Sequence, residues 1–287
     1  VARTGSMSEA SKELFISQPG LTTSIRELET EMGIKIFTRT NKGVVTSNEG
    51  ERFLGYARQV LEQASLLEGV YKSGTKIKQQ FCVSTQHYSF AVNAFVDLIR
   101  RFAGEEYDFS LRETETYEII DDVAKMKSEI GILYLNSFNK DALMKIIKSK
   151  SLTFTELFTA KPHVFVSTDH PLADKKSVTM EELADYPYLS FEQGEHNSFY
   201  YSEEIFSTVG RTKNIRVTDR ATLFNLLIGL NGYTVCSGVI DNELNGDNIT
   251  AIPLDEEGNM KIGYIENKKI LHSNLAEAYI EALKKHI

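Results

Sequence analysis

The first forty residues carry two short runs of apolar positions at helical spacing, separated by a polar break. In Ser8-Glu-Ala-Ser-Lys-Glu-Leu14, Ala10 and Leu14 fall on one face, and Ser8 is the expected N-cap. After Phe15-Ile16, the triplet Ser17-Gln18-Pro19 opens a second helix. Ser17 can cap it, and Pro19 is tolerated only in a first turn. Leu21, Ile25, Leu28 and Met32 then recur at helical spacing until Gly33 supplies a stop. Two short helices joined by a tight turn predict a helix-turn-helix. Lys35 to Thr46 reads as a small hairpin turning at Asn41-Lys42-Gly43, the expected wing.

From Asn48 to Tyr71 the pattern lengthens. Phe53, Ala57, Val60, Ala64, Leu67 and Tyr71 step alternately by four and three, the 3.5-residue repeat of a coiled-coil seam. A core helix packed within its own chain would show the same spacing. A compact N-terminal unit leaves little core to cover so long a helix, which favours dimerisation. Lys72 to Lys78 is polar and reads as a hinge.

Beyond the hinge, strand-like and helix-like segments alternate. Phe81–Ser84 leads into Phe90–Phe102, Phe109–Arg112 into Ile119–Met126, and Ile130–Leu135 follows. A second set comprises His163–Ser167, Tyr188–Ser190, Ile215–Val217 and Tyr233–Cys236, and the chain closes with Ile262–Ile265 and the helix Leu275–Leu283. Alternation of this kind predicts parallel sheets covered by helices. The expected organisation is α/β with an N-terminal, mainly all-α winged helix-turn-helix (1–47), a linker coiled-coil helix and hinge (48–78), and a two-lobed, periplasmic-binding-protein-like effector domain (79–287). Lobe I is expected at about 79–158 and 266–287, lobe II at about 159–265.

Composition changes this picture only at the edges. Apolar residues make up 41% and charged residues 25%, ordinary for a globular protein. No stretch approaches the roughly 18 consecutive apolar residues of a membrane helix. Two cysteines, Cys82 and Cys236, are too few for a disulfide framework and fit a reducing cytoplasm. The net charge of -8 by itself argues against a nucleic-acid binder. Residues 1–78, however, hold 11 Lys/Arg against 9 Asp/Glu, and the remainder 21 against 31. A mildly basic head on an acidic body suits a small DNA reader attached to a sensor. The first residue is Val1, so the natural start is expected to lie upstream.

Candidate chemistry is sparse. No Ser-His-Asp order, glycine-rich phosphate loop or paired metal-ligand motif stands out, and the six histidines are dispersed. No enzyme, cofactor or metal is expected. An enzyme, or a free-standing two-lobed solute-binding protein without a DNA role, is the rival class. In two-lobed sheets ligands sit near the carboxyl ends of strands, where helix N-termini offer free amide groups. The first such turn is Ser84-Thr85-Gln86-His87, a candidate cradle for a carboxylate or sulfate; Asn136, Gln193, His196, Ser198 and Thr222 are placed opposite it. Ordinary helix capping is the competing reading for the hydroxyl residues, and plain surface histidines for His87 and His196.

The stretch from Gly5 to Glu29, continued by Gly33-Ile-Lys-Ile-Phe-Thr-Arg39 and Thr46-Ser-Asn-Glu-Gly50, resembles the signature of LysR-type transcriptional regulators. His170-Pro-Leu172, Asp219 with Thr222, and Gly229-Leu-Asn-Gly232 extend the likeness along the chain. The resemblance implies a cytoplasmic homodimer or homotetramer, with no membrane association. By the same resemblance it would bind double-stranded promoter DNA, respond to a small-molecule effector between its lobes and contact RNA polymerase. Gln18 would then hydrogen-bond adenine, Thr22 and Thr23 would meet base edges or thymine methyls, and Pro19 would make apolar contact. Ser17 and Arg26 belong to the same helix, while Arg39 and Lys42 of the wing would reach phosphates or the minor groove. The family often has Ser then Arg where Thr22 and Thr23 stand, which puts a guanine contact in doubt and with it the family's usual operator. Ser84-Thr-Gln-His-Tyr88 and Glu113-Thr-Glu-Thr116 resemble the branch governing sulfur and methionine metabolism. The text from His87 to Asn136, with Gln193–Ser198, is similar to Gram-positive regulators of methionine uptake and capsule genes, which implies an anionic or sulfur-related effector.

Overall fold

The computed structural model describes residues 1–40, 43–72, 79–102, 104, 106–240 and 246–287, with side chains described at these positions except 39, 62, 63 and 65–72. The chain divides into two units, Val1–Ile77 and Lys78–Ile287.

In the first unit, α1 spans Met7–Glu13. Its cap is Ser6, which sits in extended backbone and accepts from the Glu9 N–H at 3.3 Å. The expected cap, Ser8, lies inside the helix, where its carbonyl accepts from the Ser11 hydroxyl. Leu14 falls beyond the last turn and is largely exposed. α2 spans Gln18–Met32; Ser17 caps it by accepting from Gly20 N–H, Pro19 occupies the first turn, and Gly33 closes it at φ 67°. Its buried face carries Leu21 and, unexpectedly, Glu29, whereas Met32 is exposed. The strands β1 (Phe37–Thr40) and β2 (Gly43–Thr46) form an antiparallel hairpin with Phe37 opposite Thr46. Asn41 and Lys42 at its tip lie outside the described residues.

The helix α3 runs from Asn48 to Lys72. Ser47 starts it: its hydroxyl accepts from the Gly50 N–H at 2.9 Å and donates to the Lys35 carbonyl, tying the helix to the approach to β1. Along the expected seam, Phe53 and Ala57 are half-buried and Val60 is 68% exposed. The side chains of Leu67 and Tyr71, and the hinge 73–78, fall outside what is described.

The second unit has a five-stranded sheet in one lobe and, in the other, a three-stranded sheet beside a two-stranded pair. β3 (Gln79–Thr85), β4 (Tyr107–Glu113) and β5 (Ile130–Leu135) run parallel, with α4 (Ser89–Phe102) and α5 (Thr116–Ala124) as crossovers. The helix α6 (Lys140–Ser149) leads to β6 (Leu152–Ala160) at the edge. The returning strand β12 (Met260–Asn267) inserts antiparallel between β5 and β6, giving the order β4-β3-β5-β12-β6. In the second lobe β7 (His163–Ser167) lies between antiparallel partners β10 (Thr234–Cys236) and β11 (Ile249–Pro253). The parallel pair β8 (Tyr188–Phe191) and β9 (Asn214–Val217) joins β10 through a bridge at Tyr188 and Tyr233, and α7 (Arg220–Leu230) covers this side. The last helix, α8 (Asn274–Leu283), packs on α4, where the buried Tyr279 hydroxyl donates to the Ala91 carbonyl at 2.9 Å.

Three expectations need correction. The five-stranded sheet is mixed rather than parallel, because β12 runs against both β5 and β6, and the β10-β7-β11 sheet is antiparallel throughout. β6 and β11 were not anticipated: β6 is an edge strand with a half-exposed surface, and β11 is only five residues long. The chain re-enters the first lobe at Met260 rather than near 266, since Ile262 and Ile265 are needed to fill the space between β5 and β6.

Gly50 sits where α3 crosses the backbone before the hairpin. A Cβ there would lie 2.2 Å from the Ile36 carbonyl oxygen, a backbone atom that cannot swing aside. Ala ordinarily outdoes Gly within a helix by about 1 kcal/mol. Here the clash reverses that preference, and Gly50→Ala is expected to destabilise the first unit by about 2–3 kcal/mol. Chemical denaturation of the variant checks this; a gain in stability would contradict the packing.

Candidate functional site

Two surfaces concentrate the predicted residues. The first is the N-terminal half of α2. Ser17, Gln18, Pro19, Thr23 and Arg26 are all exposed, while Leu21 and Glu29 anchor the opposite side. The Thr22 hydroxyl donates to the Gln18 carbonyl at 2.9 Å, which leaves its methyl group and lone pairs for other contacts. Glu29 fixes the helix against the hairpin: Oε1 accepts from the backbone N–H of Ile36 at 2.8 Å and of Phe37 at 3.0 Å, and Oε2 pairs with Lys35 at 3.0 Å. The bond from Phe37, with that from Lys35, holds the Glu29 carboxyl below its ordinary range despite its burial. The hairpin is held from its other side by the Gly5 carbonyl, which accepts from Val44 N–H at 2.8 Å. The side chain of Arg39 and all of Lys42 lie outside the described residues.

The second surface is in the second unit, where a small cavity of about 40 Å³, partly open to solvent, lies between the two lobes. Its apolar wall includes Phe165, Leu223, Phe224 and Val235, and its polar groups include His87, Glu203, Glu204, Arg220 and Thr234. Because β3 and β4 are adjacent and parallel, the chain before α4 and the start of α5 emerge side by side. Both are met by acceptors from the segment that follows β8. Glu203 accepts from the His87 backbone N–H at 2.9 Å and lies 2.9 Å from the His87 ring Nδ1. Gln193 Oε1 accepts from Thr116 N–H at 3.0 Å, and its Nε2 donates to Glu203 at 3.2 Å. The His87 ring stacks on Phe191 with centroids 3.7 Å apart. Glu113, at the end of β4, pairs with Arg220 at the start of α7 at 2.9 Å.

The remaining expected residues divide. Gln86 is buried behind the cavity: Nε2 donates to Thr116 Oγ1, and Oε1 accepts from Tyr88 OH and Tyr134 N–H. Thr85 is buried, with its hydroxyl donated to the Gln86 carbonyl. Ser84 points away from the cavity and donates to Asp122 at 2.8 Å, because neighbouring strand residues face opposite sides of the sheet. Asn136 lines a different hollow, and its Oδ1 accepts from Phe138 and Asn139 N–H ahead of α6. His196 stacks on Tyr117, exposed Ser198 precedes the short 3-10 helix Phe199–Tyr201, and exposed Thr222 binds Asp219 at the α7 cap. Of the nine residues, therefore, only His87 lines the cavity, with Gln193 joined to it through Glu203.

Sequence reasoning missed Glu203, Glu204, Arg220 and Thr234. The visible signal was the pair Glu203-Glu204 set directly before Ile205-Phe206, acidic residues in apolar company. Glu204 is almost fully buried and accepts from Phe191 N–H at 2.8 Å. Burial, reinforced by the Glu203 charge, pushes its carboxyl up to about 8. The His87 imidazole is disfavoured as a cation by burial, but Glu203 outweighs this and raises its pKa above 6.5.

Glu204 therefore holds a proton in the folded chain that it loses on unfolding. The associated stability is complete below about pH 4.5 and falls as pH rises toward 8. Glu204→Gln, which keeps the acceptor for Phe191, is expected to match the wild type at pH 5 and to exceed it at pH 8. Thermal unfolding at both pH values reads this directly; equal differences at the two would contradict a protonated Glu204.

The sequence model described as the LysR substrate binding domain matches residues 83–287, and that of the bacterial regulatory helix-turn-helix protein, lysR family, matches residues 1–51. The HTH-type transcriptional regulator CysB of Burkholderia cenocepacia is 28% identical over 192 residues, covering 65% of this chain and 58% of that protein. The RuBisCO operon transcriptional regulator of Allochromatium vinosum is 27% identical over 216 residues, 74% of this chain and 67% of its own length. The chain spans about three-fifths of the length of curated relatives such as this CysB. In fold it is similar to an arginine-to-histidine mutant of full-length BenM, at a TM-score of 0.51 and 20% identity over 99% of this chain and 92% of that one. Among the described residues no helix is long and apolar enough to cross a membrane, and no cluster of metal-binding side chains occurs. With both sequence models satisfied, one at each end, the chain belongs to the LysR family.

Proposed function

We propose that this protein is a transcription regulator that reads promoter DNA with α2 and the β1–β2 hairpin and is controlled by a small molecule bound between the lobes of its second unit. The observation that carries this reading is the one-sided anchoring of α2. Leu21 and Glu29 fix one face, while Gln18, Pro19, Thr23 and Arg26 stand free on the other. A helix that presents its N-terminal residues this way fits a major groove, where Gln18 can form a paired hydrogen bond with adenine. Arg39 and Lys42 would add phosphate contacts.

The long helix α3 supplies the second copy. Val60 and Leu61 are both 68% exposed, and Val60 lies on the 3.5-residue repeat. A partner helix covering them gives a homodimer, with a homotetramer possible through further surfaces, and predicts a pseudo-palindromic operator. Action on promoter DNA would place the protein in the cytoplasm and beside RNA polymerase. The resemblance of the His87 region to the sulfur and methionine branch, together with the CysB likeness, supports a sulfur-related effector.

A mobility shift with the DNA upstream of the protein's own gene tests the reading. The wild type should retard it. Gln18→Ala should bind roughly tenfold or more weakly, as one base contact is worth about 1–3 kcal/mol, while retaining affinity for unrelated DNA. Val60→Glu should convert the dimer to a monomer in sedimentation and lose the shift. A wild type that ignores the fragment would refute the proposal.

A further inference from the structure

We infer that Glu203 is an internal stand-in for the acid group of the effector: its carboxylate occupies the place where a carboxylate-bearing ligand docks, and such a ligand binds by displacing it. The inference rests on the reading of the cavity as the effector site and gives that effector a chemical class.

Three donors converge on Glu203: the His87 backbone N–H at 2.9 Å, the His87 ring Nδ1 at 2.9 Å and the Gln193 amide Nε2 at 3.2 Å. The side chains of His87 and Glu203 are only 5% and 6% exposed, so water does not compete for the contact. A backbone N–H ahead of a helix, an imidazole whose pKa Glu203 raises and an amide donor together make an anion-binding set. The group that fills it is part of the chain and comes from the other lobe. A charged pair of this kind holds the lobes together without a ligand.

The cavity beside it is built for something more. Thr234, one of the lining residues, is 4% exposed, and its buried hydroxyl has no hydrogen-bond partner among the described residues. Nη1 of Arg220, another lining residue, is likewise buried without a hydrogen-bond partner among the described residues. Buried polar groups are seldom left in this state. A molecule with an apolar body against Phe165 and Phe224 could satisfy them while its carboxylate took over His87 and Gln193. The exchange would swap one anion for another at constant charge, and the freed Glu203 would release the second lobe. This makes the latch a competitor of the effector, so weakening it should sharpen the response to carboxylates.

Glu203→Ala removes the side-chain atoms that acetate resupplies. In the full chain the variant should unfold at a lower temperature than the wild type. Acetate at about tenfold its dissociation constant should raise the midpoint by about 3–6 °C, while chloride at equal ionic strength and the neutral acetamide should not. The wild type should respond to none of the three, because its site is filled. If the variant cannot be purified folded, refolding in acetate against chloride gives the same reading, with recovery in acetate alone expected. A variant indifferent to acetate, equally rescued by acetamide, or failing to refold in both salts would overturn the inference. Retardation of promoter DNA by the wild type is scored separately. Rescue by acetate without DNA binding would retain the anion site and sink the regulator, and the converse would sink only the stand-in.

Discussion

The second unit depends on how the ends of two parallel strands are answered. β3 and β4 deliver the starts of α4 and α5 to one edge, where backbone N–H groups project without acceptors from their own helices. Glu115 caps α5 with no side-chain bond of its own. Acceptors arrive from the opposite lobe instead: Glu203 at His87 and Gln193 at Thr116. Each would be costly to leave unmet in a buried setting. Satisfying them across the cleft couples lobe position to the chemistry at this edge, and whatever replaces Glu203 must make the same bonds.

The first unit uses the same device on a smaller scale. Glu29 is a buried carboxylate whose two oxygens collect the N–H groups of Ile36 and Phe37 and the Lys35 ammonium. That fixes the angle between α2 and the hairpin without covering the far face of the helix. The mount is rigid and leaves Gln18, Pro19 and Thr23 together on an open face in the first turns of α2. On α3 the exposed Val60 and Leu61 show the complementary feature, apolar area that its own chain leaves uncovered.

Much of this was legible in the sequence. Ser17, Pro19 and Gly33 bracketed α2 because capping, proline and left-handed glycine act within a few residues of where they stand. The strands β3, β5 and β7 were readable as short apolar runs. Misplacements occurred where a local signal was ambiguous or the deciding partner was remote. Ser6 and Ser8 are both plausible caps, and backbone geometry selected Ser6. β12 could be recognised as a strand, but its place between β5 and β6 depends on residues more than a hundred positions away.

For the candidate site the division is sharper. Sequence alone determined the family signature, the caps of α2 and the position of His87 just after the first strand of the second unit. Only the tertiary structure decided that Ser84 faces Asp122, that Asn136 serves α6, and that Glu203, Glu204, Arg220 and Thr234 meet His87. The physical reason is range. Caps, turns and periodicity are fixed by neighbours within one or two turns, whereas a buried carboxylate is tolerable only beside donors brought by another part of the chain. Glu203 and His87 are 116 residues apart, and no local pattern links them.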